Sequence, residues 1–373
     1  ARWSRTGGRH VSTAQAIAEA DGGKWALVIN AGSSSLKFAL FSLPKPRINF
    51  EGGAPRHRMT PCAAAGNVKA VQLANGSVSE IGGQSVVKMK SQAGMGTSYT
   101  ANIPNVGVAF KEVLKLLTEP SSGLVKDSSE ISVVGHRVVH GADRFNTAVE
   151  ITPEVEDAIE DAGRLAPLHN PANLIGIREA KEVFKCPHVA VFDTAFHTTM
   201  PPESYTYGLP LDISTQHKIR RYGFHGTSYC FVMQQTAELL GKKSAELNCV
   251  IMHLGNGASM ACIRGGACID TSMGLTPLEG LMMGTRSGDL DPGVYTHLTK
   301  MGMTPAEVDN MLNKKSGLLG LCGKSNMQEV IQAADAGEAT AQLALEIFVQ
   351  RVRKYLGAYI VRLNGDVDAV VFT

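Results

Sequence analysis

No stretch of this 373-residue sequence approaches the run of about 18 apolar residues that a membrane-spanning helix needs, so no membrane role is expected. Neither sign of charge dominates: 36 Lys and Arg stand against 34 Asp and Glu, a formal net charge of +2. That balance leaves no electrostatic footprint for nucleic acid, and Arg56-His57-Arg58 is too short a cluster to make one. The seven cysteines include no C-x-x-C pair. Their pattern argues against a disulfide framework or a structural zinc site, and for a reducing compartment. Two catalytic signatures are also missing. Without a G-x-S-x-G elbow, Ser33, Ser34 and Ser35 are not expected to be esterase nucleophiles. There is no G-x-x-x-x-G-K-[ST] loop; "GLLGLCGKS", Gly317 to Ser325, has one residue too many before Gly323, and it reads as a loop without that function.

The first stretch also lacks something. No acidic residue precedes Glu19, while Arg2, Arg5 and Arg9 sit among Ser, Thr and Ala. That is the composition of an organelle transit peptide or its remnant, from a mitochondrion or chloroplast; a disordered tag ahead of a cytoplasmic protein has the same composition. Residues 1–24 are therefore expected to stand apart from the fold.

What is present is an α/β pattern of ordinary globular composition, 44% apolar and 19% charged, long enough for about two domains. Short apolar runs bounded by Gly, Asp or Asn predict strands at 25–30, 36–41, 132–139, 188–192, 249–254, 259–264 and 369–372. Helical periodicity falls at 108–117, 152–162, 173–184, 229–240 and 304–314. The longest pattern is 339–363, where Leu345, Phe348, Val352, Leu356, Tyr359 and Leu363 recur at threes and fours before Asn364-Gly365. Residues 44–105 have weak periodicity and read as an elaborated loop or meander.

"VINAGSSSLKFAL" (Val28 to Leu40) and "IMHLGNGASMACI" (Ile251 to Ile263) share one plan: apolar strand, Gly-containing polar turn, serine, apolar strand. Two such hairpins predict a duplicated domain. The turns also carry more donors than a hairpin requires. A phosphate is held by close backbone N–H groups, small side chains, hydroxyls and a cation. Asn30, Ser33, Ser35 and Lys37 supply these in one turn, and His253, Gly255, Asn256 and Gly257 in the other.

Further chemistry lies in short motifs. In "GHRVVHG", His136 and His140 are four apart, but on a β-branched strand that is about 13 Å, too far for one zinc. Arg137 between them, on the opposite face, needs an anionic partner, either a structural carboxylate or a substrate. Asp193 stands at the tip of an apolar strand, where open α/β sheets place functional groups and where helix caps also occur. His225 lies among small residues after Phe224, and Arg286 sits on a loop between Gly284 and Gly288, suited to a forked contact with carboxylate or phosphate. Two arginines, one carboxylate, histidines and two phosphate-type turns suit phosphoryl transfer by positioning and charge neutralisation.

These residues resemble the acetate kinase (acetokinase) family of the acetate and sugar kinase/Hsp70/actin superfamily, from about Trp25 to Thr373. The resemblance rests on "VINAGSSSLKF", "GHRVVHG", "APLHNPANL", "VFDTAFHTTMP", "RRYGFHGTS", "HLGNGAS" and "DTSMGLTPLEGLMMGTRSGDLDPG". It implies an α/β fold of two ribonuclease-H-like (actin-like ATPase) domains with a cleft between them. The first would span 25–195 with its elaboration at 44–105. The second would span 196–373, truncated at its end. It implies ATP-dependent phosphorylation of acetate to acetyl phosphate, with Mg²⁺, by a homodimer. In that scheme Asn30 helps hold the metal, and Ser33, Ser35 and Lys37 approach the nucleotide phosphates. His253, Leu254, Gly255, Asn256 and Gly257 form the second phosphate loop. Arg137 and Arg286 bind the carboxylate and the transferring group, Asp193 orients or deprotonates the acyl oxygen, and His225 stabilises the transition state. His169 supports the site, while Val139, Leu168, Phe224 and Pro277 enclose the methyl group. Asn326, Met327 and Gln328 fall on the nucleotide side, within "KSNMQE", where the family has Ser-Ser-Asp-x-Arg-Asp. Tyr229 follows "GTS" where His is usual. The family's Gly-Gly-Ile-Gly-Glu-Asn turn and magnesium-linked glutamate would follow "DAVVFT", beyond Thr373. Propionate or butyrate kinase, a weakly active or inactive truncated homologue, and an actin- or Hsp70-like nucleotide-binding module working through partners are the alternative readings.

Overall fold

The computed structural model describes residues 24–43, 70–92, 94–122 and 124–373. The expected arm at 1–24 lies outside them, save its last residue. The described chain divides into two compact units. One contains the residues up to His140 together with Ala148–Val191; the other contains Gly141–Thr147 and Phe192–Thr373. The change of unit thus comes slightly before the expected residue 195.

In the first unit, apolar alternation builds β1 (Lys24–Ala31) and β2 (Ser35–Leu43), joined by the tight turn of residues 32–34. Three further strands, β3 (Val71–Ser79), β4 (Gly83–Ser91) and β5 (Gly96–Ile103), continue outward from β2 as an antiparallel meander. The region read as loop or meander is therefore strand wherever it is described beyond Ala70, apart from its turns. Helix α1 (Val106–Thr118) follows, its N-terminus capped by the Asn105 side chain on Val108 N–H at 3.0 Å. On the other side of β1 lie β6 (Ile131–Val138), parallel to it, then β8 (His188–Phe192) and the short β7 (Val149–Glu150). Helices α2 (Pro153–Asp161) and α3 (Asn170–Val183) complete the unit. Phe110, Val113 and Leu117 of α1 and Ala180 of α3 bury against Leu27, Ile29, Leu36 and Leu40 of the central hairpin. Truncating such a residue to Ala costs about 2–5 kcal/mol.

The second unit begins its main architecture with α4 (Gly226–Leu239) and a four-stranded sheet. Its strands are β9 (Cys249–Leu254), β10 (Ala258–Arg264), β11 (Ala267–Thr271) and β12 (Ala369–Phe372), in the order β11-β10-β9-β12. Here β9 pairs antiparallel with β10 and parallel with β12. The first unit repeats that plan in β3-β2-β1-β6, with β1 antiparallel to β2 and parallel to β6. The duplication read from two hairpins is thus a duplication of sheet topology. Between β11 and β12 come α5 (Pro292–Lys300), α6 (Pro305–Lys314), α7 (Gly317–Cys322), α8 (Met327–Asp335) and α9 (Ala339–Arg362). Helix α9 ends as its sequence predicts: Gly365, at φ 76°, sends its N–H back to Ile360 O at 2.9 Å.

The loop reading of Gly317 to Ser325 is corrected: Gly317–Cys322 is helical, because Leu318 and Cys322, four apart, bury one face against Met282, Val330 and Ala344. Cys186, Cys249, Cys262, Cys268 and Cys322 carry free thiols.

Candidate active site

In the first unit, the register of β1 and β2 sets Asn30 opposite Lys37 and leaves Gly32, Ser33 and Ser34 to turn the chain. Gly32 N–H donates to Ser35 O at 2.8 Å, while Ser33, Ser34 and Lys37 are exposed at the turn and just past it. Arg137, on β6, donates through Nη1 to Asn30 Oδ1 at 3.3 Å. Helix α3 fixes the ends of these strands. Its buried Asn173 donates through Nδ2 to Ala31 O at 2.7 Å and accepts Val139 N–H at 3.1 Å. Close approach requires Gly176, where a Cβ would fall 2.4 Å from that of Ala31. Asn170 likewise accepts His140 N–H at 3.1 Å and donates to His140 O at 2.9 Å. These two asparagines were not singled out from the sequence. Their signal was a pair of amides three apart at the start of a helix, on the side that turns inward. His169 occupies the cap position of α3 without a capping bond, Val139 is buried, and Leu168 is 56% exposed.

His136 is a core residue. Its Nε2 lies 2.8 Å from Nδ1 of His188, the rings stack at 5.1 Å, and His188 Nε2 lies 2.9 Å from Phe184 O. Burial, with His188 alongside, pushes His136 down to about 3. The strand ends at Val138, so His140 stands beyond it.

In the second unit, Asp193 follows β8 and is almost wholly buried. Its backbone carbonyl accepts Gly226 N–H at 2.9 Å, and its carboxylate accepts the Thr227 hydroxyl at 3.1 Å. Thr194 holds the cap position before the next helical turn. His225 takes a left-handed backbone (φ 59°) just before α4. That conformation is uncommon outside glycine and turns its imidazole toward β10, where Nδ1 lies 2.8 Å from Ser259 Oγ. The ring stacks on His253 at 4.2 Å, and His253 Nδ1 lies 2.9 Å from Ser228 Oγ. After His253 and the half-buried Leu254, residues 255–257 turn the chain, with Gly255 and Asn256 exposed. At Gly257 a Cβ would stand 3.6 Å from His225 Nε2 and 3.7 Å from Arg286 Nη1. The structure thus brings His225, Gly257 and Arg286 to one spot.

Arg286 donates to Pro277 O at 3.1 Å, and burial lowers its pKa from the ordinary value. Its loop is held from several sides. Leu318 and Leu319, in the first turn of α7, donate to Met283 O and Gly284 O at 2.9 Å each. Gly317, at φ 63°, meets the loop so closely that a Cβ would fall 2.1 Å from Met283 O. Gly284 N–H donates to Asn256 O at 3.0 Å, and a Cβ at Gly284 would fall 1.8 Å from Asn256 Oδ1. The loop's base is pinned by the Arg221–Glu279 ion pair at 2.5 Å. Asp289 pins it again, accepting Gly280 N–H at 2.8 Å and the Tyr355 hydroxyl at 2.9 Å. A cavity of about 740 Å³ borders these anchors, lined by Tyr207, Leu275, Glu279, Asp289, Arg351 and Lys354; none of the residues given a catalytic or binding role from the sequence lines it.

Phe224 is buried, and its carbonyl meets His197 Nε2 at 2.8 Å; burial pushes His197 down to about 4, so it belongs to the core. Asn326 caps α8 by accepting Gln328 N–H at 2.8 Å; Gln328 is exposed, and Met327 packs against Val330 and its neighbours.

Residues 25–373 match the sequence model of the acetokinase family. The chain is 46% identical to an acetate kinase of Bacillus subtilis over 350 residues, which cover 93% of this chain and 82% of that protein. It is equally identical to an acetate kinase of Acetivibrio thermocellus, again over 93% of this chain and 82% of that protein. Among solved structures, it resembles an acetate kinase of Porphyromonas gingivalis (TM-score 0.81, 40% identity, 93% of this chain and 82% of that one). A propionate kinase of Francisella tularensis is similarly close (TM-score 0.80, 38% identity, with the same coverage).

Proposed function

The chain belongs to the acetokinase family, and from that premise we propose that it transfers the terminal phosphoryl group of ATP to acetate, yielding acetyl phosphate and ADP. The observation that carries this reading is the convergence of His225 and Arg286 on Gly257, where a missing side chain leaves room for an oxygen-rich group between two donors.

An acetate oxygen attacks the γ-phosphorus as the bond from phosphorus to the β–γ bridging oxygen breaks. Acetate is already ionised at neutral pH, so Asp193 is needed for orientation and not as a base. Both reactants are anionic, and most of the barrier comes from bringing them together and holding the charge. Arg137 forks onto the carboxylate, which a planar guanidinium does better than a point charge. Arg286, already fixed on Pro277 O, and His225 meet the charge of the transferring group. Lys37, the serines of the first turn and the amides of residues 255–257 hold the phosphates.

Mg²⁺ takes most of its shell from phosphate oxygens and water, so the chain need supply little; Asn30 Oδ1, which accepts from Arg137 Nη1 through one lone pair, keeps a second to offer. When bound, the ion neutralises phosphate charge.

Because one of the similar structures is a propionate kinase, propionate is the second reading. One methylene in a pocket changes discrimination by only about 1–3 kcal/mol. Steady-state assays with ATP and acetate, propionate or butyrate, trapping the acyl phosphate as hydroxamate, decide the matter. A kcat/KM highest for acetate supports the reading, one highest for propionate replaces the substrate, and no acyl phosphate from any of the three overturns it. The acid-poor, arginine-bearing start supports an organellar address, tested by fusing residues 1–24 to a fluorescent reporter.

A further inference from the structure

One buried hydroxyl chain ends on His225. Tyr229 lies one helical turn further along α4, fully buried among Phe196, Met233 and Ile251. Among the described residues its phenol has one hydrogen-bond partner, Ser259 Oγ at 2.5 Å. Ser259 is itself fully buried on β10, and the same oxygen lies 2.8 Å from His225 Nδ1.

Each hydroxyl has one hydrogen to give; were Ser259 Oγ to accept from both partners at once, its own buried hydrogen would have no acceptor among the described residues, so the chain runs in one of two directions. If Tyr229 donates to Ser259, the serine hydrogen is free to point at Nδ1. The neutral imidazole then carries its proton on Nε2. If Nδ1–H donates instead, the serine hydrogen turns to the tyrosine oxygen. The phenolic hydrogen is then aimed into an apolar cluster with no acceptor, which is costly. Burial keeps the phenol protonated, so it always has a hydrogen to place.

We propose that Tyr229 is a positioning residue that, through Ser259, fixes the tautomer of His225 with its proton on Nε2, the nitrogen facing Gly257. This rests on the function proposed above and adds to it. A donor is held toward the incoming phosphoryl oxygens, and the wrong tautomer would present them with a lone pair.

The test is Tyr229→Phe, which keeps the ring and removes only the hydroxyl. In the full chain labelled with ¹⁵N-histidine, the two His225 nitrogens are assigned by their loss in His225→Gln, and their shifts report the tautomer. The expected result is an Nε2–H imidazole in the parent and a mixture, or the Nδ1–H form, in Tyr229→Phe. The rate constant kcat for acetate phosphorylation should fall on the order of tenfold or more, with KM for acetate and ATP little changed. Ser259→Ala should reproduce the loss, and adding it to Tyr229→Phe should cost nothing further, because both act through one chain. An unchanged tautomer in Tyr229→Phe, an effect confined to KM, or losses that multiply in the double variant would each overturn the proposal. If no carboxylate is phosphorylated, the reading of function fails, while the tautomer measurement still decides the role of Tyr229. Should Tyr229→Phe not fold, Ser259→Ala alone gives the same spectroscopic answer.

Discussion

Arg137 donates through Nη1 to the side-chain oxygen of Asn30 at 3.3 Å, linking neighbouring parallel strands β6 and β1. A neutral amide steadies a guanidinium without consuming its charge; a carboxylate there would pair with it. Asn30→Asp should therefore raise the KM for acetate about tenfold, equivalent to about 1.4 kcal/mol, by competing for Arg137. Acetate titrations at saturating ATP check this, and an unaltered KM would show that Arg137 does not meet the carboxylate.

The two arginines should separate kinetically. Arg137→Ala is expected to raise the KM for acetate as well as lowering turnover. Arg286→Ala is expected to act chiefly on kcat, by roughly a hundredfold or more, about 3 kcal/mol. Lysine should rescue little at either position, lacking the fork. Near-normal turnover in Arg286→Ala would reduce its loop to scaffolding.

Gly257 offers a cleaner separation of site from fold. An alanine methyl there would make only ordinary contacts, at 3.6 Å to His225 Nε2 and 3.7 Å to Arg286 Nη1, so folding has nothing to resist. Stability should stay within about 0.5 kcal/mol of the parent while kcat/KM for ATP falls at least tenfold, because the methyl occupies space reserved for phosphate oxygens. A stable variant with full activity would remove that turn from the site.

Stability should fall as the solution is acidified. Burial holds His136 near 3 and His197 near 4, whereas an unfolded imidazole titrates near ~6.5. Below ~6.5 the unfolded chain binds protons that the folded chain refuses, so the stabilisation is complete above neutrality. It is lost on descending toward the folded values, by about 2 kcal/mol per histidine at pH 5. Urea midpoints between pH 7.5 and 5 measure this, and His136→Gln should flatten the dependence by about one proton. An identical slope in the variant would mean that His136 takes up its proton over the same pH range in the folded and unfolded chain.

Strands such as β1 and β9 were legible because their apolar runs are uninterrupted and bounded by turn residues. Strand β4 was not, because the inward positions Ser85 and Ser91 are buried hydroxyls, and Ser85 satisfies itself on Glu80 O at 3.0 Å. Helix α7 was hidden for another reason: two of its six residues are glycines, and its helicity comes from docking Leu318 and Cys322 against neighbouring helices. At the candidate site, residue types pointed to Arg137, His225 and Arg286. Of the supporting layer, Glu279 and Asp289 were not readable, because each acts on a side chain far away in sequence, Arg221 and Tyr355.

The close approaches at Gly284 and Gly317 bear on any random-substitution library of this chain. A selection for growth on the enzyme would return glycine at both positions and at Gly257, and the three would look alike. A parallel sort for folded abundance would not treat them alike. Gly284 and Gly317 would again return as glycine, since a Cβ collides with the backbone carbonyl of Ser325 or of Met283 whatever the substrate. Gly257 would drift to alanine and serine. The difference between the two sorts, position by position, would separate residues that phosphate requires from residues that only the neighbouring loop requires.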